Sequence, residues 1–516
     1  MQVFSWVCSR PVVIKRRAIG VMGNSSKAIS KAEEKYLIAQ GAYWLSGDLR
    51  YRDTEAMTKA CSGFLDLIYK ASGAERQNRT RHMPQAESFL CALLKAAETP
   101  TKTLVIGRNQ NEYVGNGRLS YAVTVKLFAR TIEKLGWTER LRGYFPELGK
   151  GSKDRDVLRR PLLNWLKKSG LSPDLVYKVR PRITVTVRDD AEKIRIKPDA
   201  KLMKKLQPYE EQVERINEAL EAHSLDILLD SRGLKRLNAR LKERASKKSD
   251  DPADAALFLE KKFLRRQFIG RELKKGGRFY GGWWLNIPKE YRSRITVDGC
   301  LTCELDYKCQ HLELLYALRA RGKKPQLQDL YEIPGLPVEL RDDLKEIFLM
   351  LLNNPSREKA FSALKRKVKG GELFASHELG MKHVVDSFVD FHTPIKRSFF
   401  TQAGVWLQRK DSELMTNVLL RVINELETVA LPVHDSIIIH RDLAEEGSRI
   451  MIEEAQKLFG ADLRVEQKAL ATWNDDEIEA LREEKKMIDG YFLREMIWNK
   501  SNKIQSVTDV EALEEC

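Results

Sequence analysis

Cysteine and long apolar runs are both scarce in this chain of 516 residues. Seven cysteines are present, an odd number, and Cys300 and Cys303 form the one C-x-x-C pair. We therefore expect reduced thiols in a cytoplasmic setting rather than a disulfide-stabilised secreted fold. No run of about 18 uncharged apolar residues could span a bilayer, and no Walker-type phosphate loop occurs. These absences exclude a membrane protein and a P-loop enzyme.

Acidic residues are missing from the first 32 positions, which carry six basic ones. Transit peptides and basic arms share this composition. The sequence therefore leaves organellar targeting open, beside the cytoplasm of a bacterial, phage or mobile-element system.

The formal net charge is +17, although residues 466–516 hold 13 acidic and 7 basic residues. The positive charge thus belongs to the body of the chain. It favours nucleic acid as a partner, because each Lys or Arg placed on a phosphate releases condensed counterions. A solvated basic surface without a specific partner is the alternative interpretation.

Length and pattern together predict a multidomain α+β protein. We expect an N-terminal basic, helical segment at 1–83, a winged-helix-like nucleic-acid-binding domain at 84–190 and a helical connector at 191–275 that could serve as a thumb. From 276 to 465 apolar strands mix with helices, and this part carries the residues suited to chemistry. The acidic tail occupies 466–516.

Finer periodicity predicts helices over 31–40 and 53–71 and a polar linker over 75–82. The adjacent Trp283 and Trp284 are expected to have one ring buried and one exposed.

A basic helix is predicted over 120–135. Lys126, Arg130 and Lys134 recur in it at intervals of four residues, so they share one face. A loop rich in Gly and Lys and then a short strand follow over 143–158. This order is typical of a winged helix-turn-helix that binds DNA. An amphipathic helix with a solvated basic side is the equal alternative.

The segment LTCELDYKCQHLELLYAL, from 301 to 318, offers the first candidate catalytic carboxylate. Its alternation predicts a strand with Glu304 and Asp306 on one face, and its leucine spacing then predicts a helix. Asp306 thus lies at a strand-to-helix junction, where the carbonyl of Tyr307 can also reach a metal ion. Glu304 is a candidate third carboxylate.

The segment TVALPVHDSIIIH, from 428 to 440, offers the second candidate catalytic carboxylate. Two apolar β-branched runs flank a turn, as expected of a hairpin that presents Asp435 at its tip. Joining a nucleotide to a 3′-hydroxyl uses two metal ions, and magnesium prefers carboxylate oxygens. Taken alone, an aspartate in a turn is more often a turn-former than a ligand.

Five segments resemble family A DNA polymerases, in the same order. LDYKCQHLELLYAL resembles their motif A, PVHDSIIIH their motif C, and GGRFYGGWWLNIP (276–288) the segment that joins a Gly-Arg pair to Gln-Asn-Ile-Pro. Arg341 and Lys345 reproduce the Arg-x-x-x-Lys of motif B, and Gln408 resembles a glutamine near the primer and template. The resemblance covers about 276–464. It implies a right-hand polymerase palm, an antiparallel sheet with helices, and template-directed DNA synthesis.

The resemblance also implies the metal and phosphate ligands. Asp306 and Asp435, with the carbonyl of Tyr307, would hold two Mg²⁺ ions, for which Mn²⁺ could substitute. Lys345 would neutralise the triphosphate and protonate pyrophosphate, and Arg341 would add a second phosphate contact.

Further residues receive roles in substrate binding by the same resemblance. His311, Leu349 and Asn353 would line the nucleotide site. Arg278 and Gln408 would follow the primer and template. His434 would hold the primer terminus or the triphosphate beside the motif C aspartate.

The chain departs from the family in ways that leave sugar choice open. Asp306 and Asp435 are 129 positions apart, which is short for the family and predicts reduced fingers. His311 stands where DNA polymerases of this family have a ribose-excluding Glu, and Asn353 stands where they have an aromatic residue. The His-Asp-Ser turn also resembles single-subunit phage and mitochondrial RNA polymerases.

Three functions therefore stay under consideration. The first is a DNA polymerase that uses a DNA primer-template, with RNA as an open alternative template. The second is an RNA polymerase, a primase or a template-independent nucleotidyltransferase. The third is a DNA-binding replication or defence protein whose palm has no catalytic activity.

Overall fold

The computed structural model describes residues 42–74, 78–99, 101–108, 110–113, 118–142, 154–180, 183–191, 195–229, 231–248, 257–369 and 380–468. The helix predicted over 31–40, the basic loop predicted at 143–153 and nearly all of the acidic tail lie outside these residues. Among the described helices, none is both long and apolar enough to cross a membrane.

The described residues form a mixed α/β protein with two hydrophobic cores. The first core is built from residues between Tyr43 and Val176, together with Phe258. Its elements are β1 (Tyr43–Trp44), β2 (Leu49–Tyr51), α1 (Thr54–Ser72), α2 (Arg79–Glu98), β3 (Thr103–Val105), α3 (Arg130–Lys134), β4 (Thr138–Leu141), β5 (Arg155–Leu158), α4 (Arg160–Lys168) and β6 (Val176–Lys178). Strands β1, β3, β5 and β4 form one sheet in that order, and β2 pairs with β6.

The second core extends from Val185 to Leu463. Its elements are β7 (Val185–Arg188), α5 (Ala200–Ala222), β8 (Leu225–Ile227), α6 (Ser231–Lys248), β9 (Arg265–Ile269), β10 (Lys275–Tyr280), α7 (Lys289–Arg292), β11 (Ile295–Val297), β12 (Cys300–Tyr307), α8 (Gln310–Arg319), α9 (Arg341–Asn353), α10 (Arg357–Lys369), α11 (Met381–Phe391), α12 (Ala403–Leu426), β13 (Leu431–Val433), β14 (Ser436–His440), α13 (Ala444–Phe459) and β15 (Val465–Gln467).

An antiparallel sheet lies in the second core. Its strand order is β13-β14-β12-β11-β8, and β15 pairs with the end of β12. Ile437, Ile438 and Ile439 of β14 are all buried, as expected of β-branched residues on a strand covered on both faces. Helix α13 covers this sheet closely at Gly447, where an added Cβ would lie 3.0 Å from a methyl carbon of Leu305. The strands around Asp306 are therefore held by a tightly packed core.

A second, three-stranded sheet has the order β10-β9-β7, and α12 packs against β10. Between Gly276 and Arg278 the register with β9 shifts, which marks a β-bulge. Gly277 has φ +89°, and a Cβ there would lie 2.8 Å from both the Phe268 ring and Ser412 Oγ. Glycine is needed here because the chain adopts a left-handed conformation and α12 approaches closely. The bulge sets the direction in which Arg278 leaves the strand.

Several predicted elements are confirmed. Helix α1 matches the helix predicted over 53–71; the Asp53 carboxylate caps it by accepting from the Ala56 N–H, and Gly73 ends it at φ +67°. The strand and helix predicted over 301–318 are β12 and α8, and the predicted hairpin around Asp435 is formed by β13 and β14.

Other predictions are corrected. Arg79 to His82 belong to α2 rather than to a linker, since Asn78 caps the helix and His82 is buried. Both Trp283 and Trp284 are buried. The indole N–H of Trp284 donates to the carbonyl of Pro432 inside the core.

The basic helix of the first core differs in detail from the prediction. Residues Ala122–Ala129 form π-helical turns that continue into α3. Gly136 follows at φ +68°, and β4 and β5 form an antiparallel pair where the final strand was expected. A winged-helix domain is not confirmed by these elements, because the predicted wing lies outside the described residues.

Candidate active site

The pairing of β12 with β14 brings the two predicted aspartates to the same end of one sheet. Asp306 lies opposite Ser436, the residue directly after Asp435. The Tyr307 N–H lies 3.5 Å from the carbonyl oxygen of Asp435. Two residues 129 positions apart in sequence are therefore neighbours across a strand pair.

The turn between β13 and β14 consists of His434 and Asp435. His434 has φ +61°, a left-handed conformation that histidine adopts more readily than most non-glycine residues. Its side chain is exposed, whereas Asp435 is half-buried. The tight turn thus places the carboxylate of Asp435 at the end of the sheet.

The two carboxylates interact electrostatically. Burial raises the pKa of Asp306 to about 6, with the negative charge of Asp435 adding to the rise and the Lys468 ammonium opposing it. An unfavourable interaction between neighbouring carboxylates is relieved by a bound cation. The strand end therefore attracts positive charge.

Glu304, two residues earlier on β12, has a different environment. It accepts hydrogen bonds from Ser436 Oγ at 2.8 Å, from Lys468 Nζ at 2.7 Å and from Arg292 at 3.1 Å. Burial works against its ionisation, yet the bonds from Lys468 and Ser436 outweigh this and lower its pKa. Glu304 is thus an ionised, fully bonded carboxylate within the sheet.

Helix α8 brings His311 into the same electrostatic neighbourhood. Burial lowers the pKa of His311 to about 4, and the positive charges of Arg278 and Lys345 lower it further against the pull of Asp435. The imidazole is therefore neutral at physiological pH. Its Nε2 atom is buried and has no hydrogen-bond partner among the described residues.

Arg278 forms an ion pair with a buried aspartate on α12. Its Nε and a terminal nitrogen each lie 3.2 Å from Oδ2 of Asp411, whose side chain has no exposed surface. Burial raises the pKa of Asp411 to about 7, Asp435 adds to the rise and Arg278 opposes it. Arg278, which is predicted to contact the primer, is thus held in position by the buried carboxyl group of Asp411.

A fully buried arginine, Arg266 on β9, holds the bulge that precedes Arg278. Its Nε donates to the carbonyl of Gly277 at 2.9 Å, and a terminal nitrogen donates to Ser412 Oγ at 3.2 Å. Burial lowers the pKa of Arg266 to about 9. Arg266 therefore ties β9, β10 and α12 together behind the candidate site.

Helix α9 carries the predicted nucleotide-binding residues at intervals of four. Arg341 donates to Asp329 from two nitrogens, at 3.0 and 2.9 Å, and Lys345 is exposed. Leu349 is half-buried, and its carbonyl accepts a hydrogen bond of 2.9 Å from Asn353 Nδ2. The interval of four on a regular helix places these side chains along one stripe.

The remaining predicted residues are distributed as follows. Tyr307 buries its side chain, and its hydroxyl donates to the carbonyl of Met451 at 2.6 Å, so the backbone carbonyl is the part considered for metal binding. Gln408 lies half-buried on α12, one turn before Asp411. Lys126, Arg130 and Lys134 are exposed on the helix of the first core, on different elements from all the residues above.

Asp306 and Asp435 are the two carboxylates at this end of the sheet that could bind a divalent metal ion. Among the described residues, no group of three or more His, Cys, Asp or Glu side chains is arranged to hold a metal. Magnesium, however, commonly uses one or two protein carboxylates and fills its shell with water and substrate phosphates. Lys468 Nζ, 2.9 Å from Asp306 Oδ2, already places a cation beside this pair.

Several residues around this site were missed by the sequence interpretation, among them Asp411, Asp329 and Lys468. Asp411 could have been found, because it falls on the apolar face of α12 between Leu407 and Leu414, and a charged residue there needs a buried partner. Asp329 and Lys468 give no such signal, since each lies in an irregular or terminal segment.

Comparisons with known proteins add little. No protein-family model matches the chain, and no curated protein matches its sequence. One solved structure that it is similar to is the POL domain of Pol1 from M. smegmatis, in complex with DNA primer-template and dNTP. The match has 10% sequence identity, covers 84% of this chain and 67% of that one, and has a TM-score of 0.20. That score is too low to support an argument about fold or function.

Proposed function

We propose that this chain is a template-directed nucleic-acid polymerase, most simply a DNA polymerase that extends a primer 3′-hydroxyl. The observation that carries the proposal is the register of β12 with β14, which brings Asp306 beside Asp435 at one sheet end. In this proposal 276–465 is a palm with reduced fingers, and 191–275 is a thumb-like connector. The 84–190 region, which shares its hydrophobic core with residues 43–83, would supply a second nucleic-acid-binding surface.

Asp306 and Asp435, with the carbonyl of Tyr307, would hold two divalent metal ions. Such ions lower the pKa of the attacking hydroxyl and stabilise the leaving pyrophosphate. The protein's own contribution is to keep the two carboxylates adjacent and partly sheltered from water. The mutual repulsion of these carboxylates supports the assignment, because a metal ion offsets it.

The nucleotide would bind between this sheet end and α9. Lys345 is exposed there and within electrostatic reach of His311, so its ammonium would neutralise the triphosphate and can protonate the leaving group. Arg341, already oriented by Asp329, would bind a second phosphate. His311 and Asn353 would face the sugar or base, because neutral side chains suit these uncharged parts of the nucleotide.

The primer-template would extend from the same site along basic surfaces. Arg278 is held by Asp411 with part of its side chain exposed, and it would meet the primer terminus together with Gln408 and His434. Helix α6 exposes Arg232, Lys235 and Arg236 while burying Leu237. Such a cationic face suits a phosphate backbone.

Primer extension with purified protein tests the proposal. DNA and RNA primer-templates, and no template, are each combined with labelled dNTPs or NTPs and with Mg²⁺ or Mn²⁺. We expect incorporation that follows the template and is lost by at least about a hundredfold in Asp306→Asn and Asp435→Asn. Asp442→Asn is the matched control, because this aspartate follows the same strand but its side chain is 72% exposed.

The outcomes separate the candidate functions. Preference for NTPs would indicate an RNA polymerase or primase, and incorporation without template would indicate an end-extending nucleotidyltransferase. DNA binding with inactivity toward every substrate would favour the non-catalytic DNA-binding protein. Synthesis that survives both aspartate substitutions would refute the assigned metal ligands.

A further inference from the structure

The Lys468 ammonium contacts two carboxylates on β12 that differ in their exposure to solvent. It lies 2.7 Å from Glu304 Oε1 and 2.9 Å from Asp306 Oδ2. Among the described residues, it is the only cation within ion-pair distance of Asp306. A positive charge thus lies against the carboxylate assigned above to a metal ion.

The backbone around Lys468 is fixed to the same strand. β15 pairs with β12 so that Glu466 lies opposite Asp306 and Gln467 opposite Leu305. The Lys468 N–H then donates to the carbonyl of Glu304 at 2.9 Å. The lysine side chain therefore starts from a defined point beside the two carboxylates.

The two carboxylates that the ammonium contacts differ in their exposure and in their other partners. Glu304 is 7% exposed and has further donors in Ser436 and Arg292, so it stays bonded whatever Lys468 does. Asp306 is 27% exposed, and Lys468 is the cation that it contacts. The contact with Asp306 can therefore break while the ammonium remains held by Glu304.

Neighbouring cations do not duplicate this contact. Lys308, two residues after Asp306, directs its ammonium to Glu466 at 2.9 Å and toward Asp329 at 3.9 Å. Arg292 contacts Glu304. Lys468 is thus distinguished by its position and not by the general positive charge of the region.

We propose that Lys468 is an internal counter-cation that competes with the divalent metal ion for Asp306. It thereby raises the metal concentration that is needed to occupy the site. With no metal bound, its ammonium neutralises Asp306. When a metal ion binds, the ammonium releases Asp306 and remains bonded to Glu304. Lys468 therefore neutralises Asp306 before metal binding without preventing that binding. The inference rests on the proposed function, because that function assigns Asp306 to a metal.

The test measures Mn²⁺ binding to the full-length protein by the loss of the free Mn²⁺ signal in electron paramagnetic resonance, without nucleotide or DNA. Lys468→Met removes the ammonium and keeps the length of the side chain. We expect Mn²⁺ to bind about fivefold more tightly, the factor that corresponds to a partly exposed ion pair. Lys468→Arg retains a cation and should stay close to the wild-type affinity.

Lys308→Met is the matched control, because it removes the same charge near Asp306 without removing a contact to it. Its Mn²⁺ affinity should change by less than about twofold. Circular dichroism and thermal melting establish that each variant is folded. Unchanged or weaker Mn²⁺ binding in a folded Lys468→Met protein would overturn the inference.

The failure of this inference differs from the failure of the proposed function. If Asp306→Asn loses Mn²⁺ binding but Lys468→Met leaves it unchanged, only the role of Lys468 is wrong. If Asp306→Asn binds Mn²⁺ as the wild type does, both are wrong. Tighter Mn²⁺ binding by Lys468→Met in a protein that does not extend primers supports the counter-cation and refutes the polymerase.

Discussion

The carboxyl group of Asp411 is buried behind Arg278, and its replacement by asparagine tests whether it is neutral or ionised in the folded protein. Two effects compete at this position. An ion pair with Arg278 favours the charged form, whereas complete burial and the nearby negative charge of Asp435 favour the protonated form. Gln310 also favours the charged form, but burial is expected to win because it is the largest influence on this carboxyl group and both arginine contacts reach Oδ2 alone.

The pKa of Asp411 rises from 3.8 to about 7 on folding, so between these values the folded state binds more protons than the unfolded state. Stability must then fall as pH rises through this window. Integrated from pH 5 to pH 8, the loss is about 2.5 kcal/mol. No discount for solvent applies, since the side chain is fully buried. Asp411→Asn is nearly the same size and removes this dependence.

Urea unfolding of both proteins, followed by tryptophan fluorescence in EDTA at pH 5, 6, 7 and 8, gives the required free energies. We expect the variant to gain about 2.5 kcal/mol relative to wild type between pH 5 and pH 8. Glu413→Gln is the matched control on the same helix, since that glutamate is 36% exposed. A stability difference between the two proteins that stays constant from pH 5 to pH 8 would instead show that Asp411 is already ionised at pH 5 in the folded protein and that the ion pair with Arg278 outweighs burial.

Two other predictions concern the bulge and the first core. Gly277→Ala should lower the free energy of unfolding by about 2–3 kcal/mol, because the new methyl group meets a ring and a hydroxyl and the backbone is left-handed. Gly63→Ala, in open space within α1, should raise it by about 0.5–1 kcal/mol in the same urea assay. Replacing Lys126, Arg130 and Lys134 together by glutamine should reduce the slope of log binding constant against log salt by about 2–3 for duplex DNA, measured by fluorescence anisotropy. An unchanged slope would mean that this face is only solvated.

Local patterns predicted the elements that carry the candidate carboxylates. Alternation over β12 and leucine spacing over α8 are short-range signals, and they place Asp306 at a strand end without knowledge of the rest of the chain. The β-branched runs around Asp435 likewise predicted its hairpin. The Gly-Gly pair before Arg278 indicated only a resemblance to a family segment; the left-handed conformation of Gly277 and its close contact with α12 were not predicted.

Local patterns failed where a neighbour in space decides the outcome. The segment around Arg79 looked like a linker because it is polar, yet the cap at Asn78 and the burial of His82 make it helical. The indole N–H of the buried Trp284 donates to the carbonyl of Pro432, 148 positions away. A sequence window cannot contain such a partner.

The sequence by itself determined the types of element and the chemistry available at their ends, because helical and strand periodicity are local and the side chains are fixed. Only the tertiary structure decided which ends meet. The register of β12 with β14 placed Asp306 beside Asp435, and the pairing of β15 with β12 placed Lys468 against Asp306. These outcomes depend on burial and strand pairing between distant segments, whose free energies appear only when the whole core is packed.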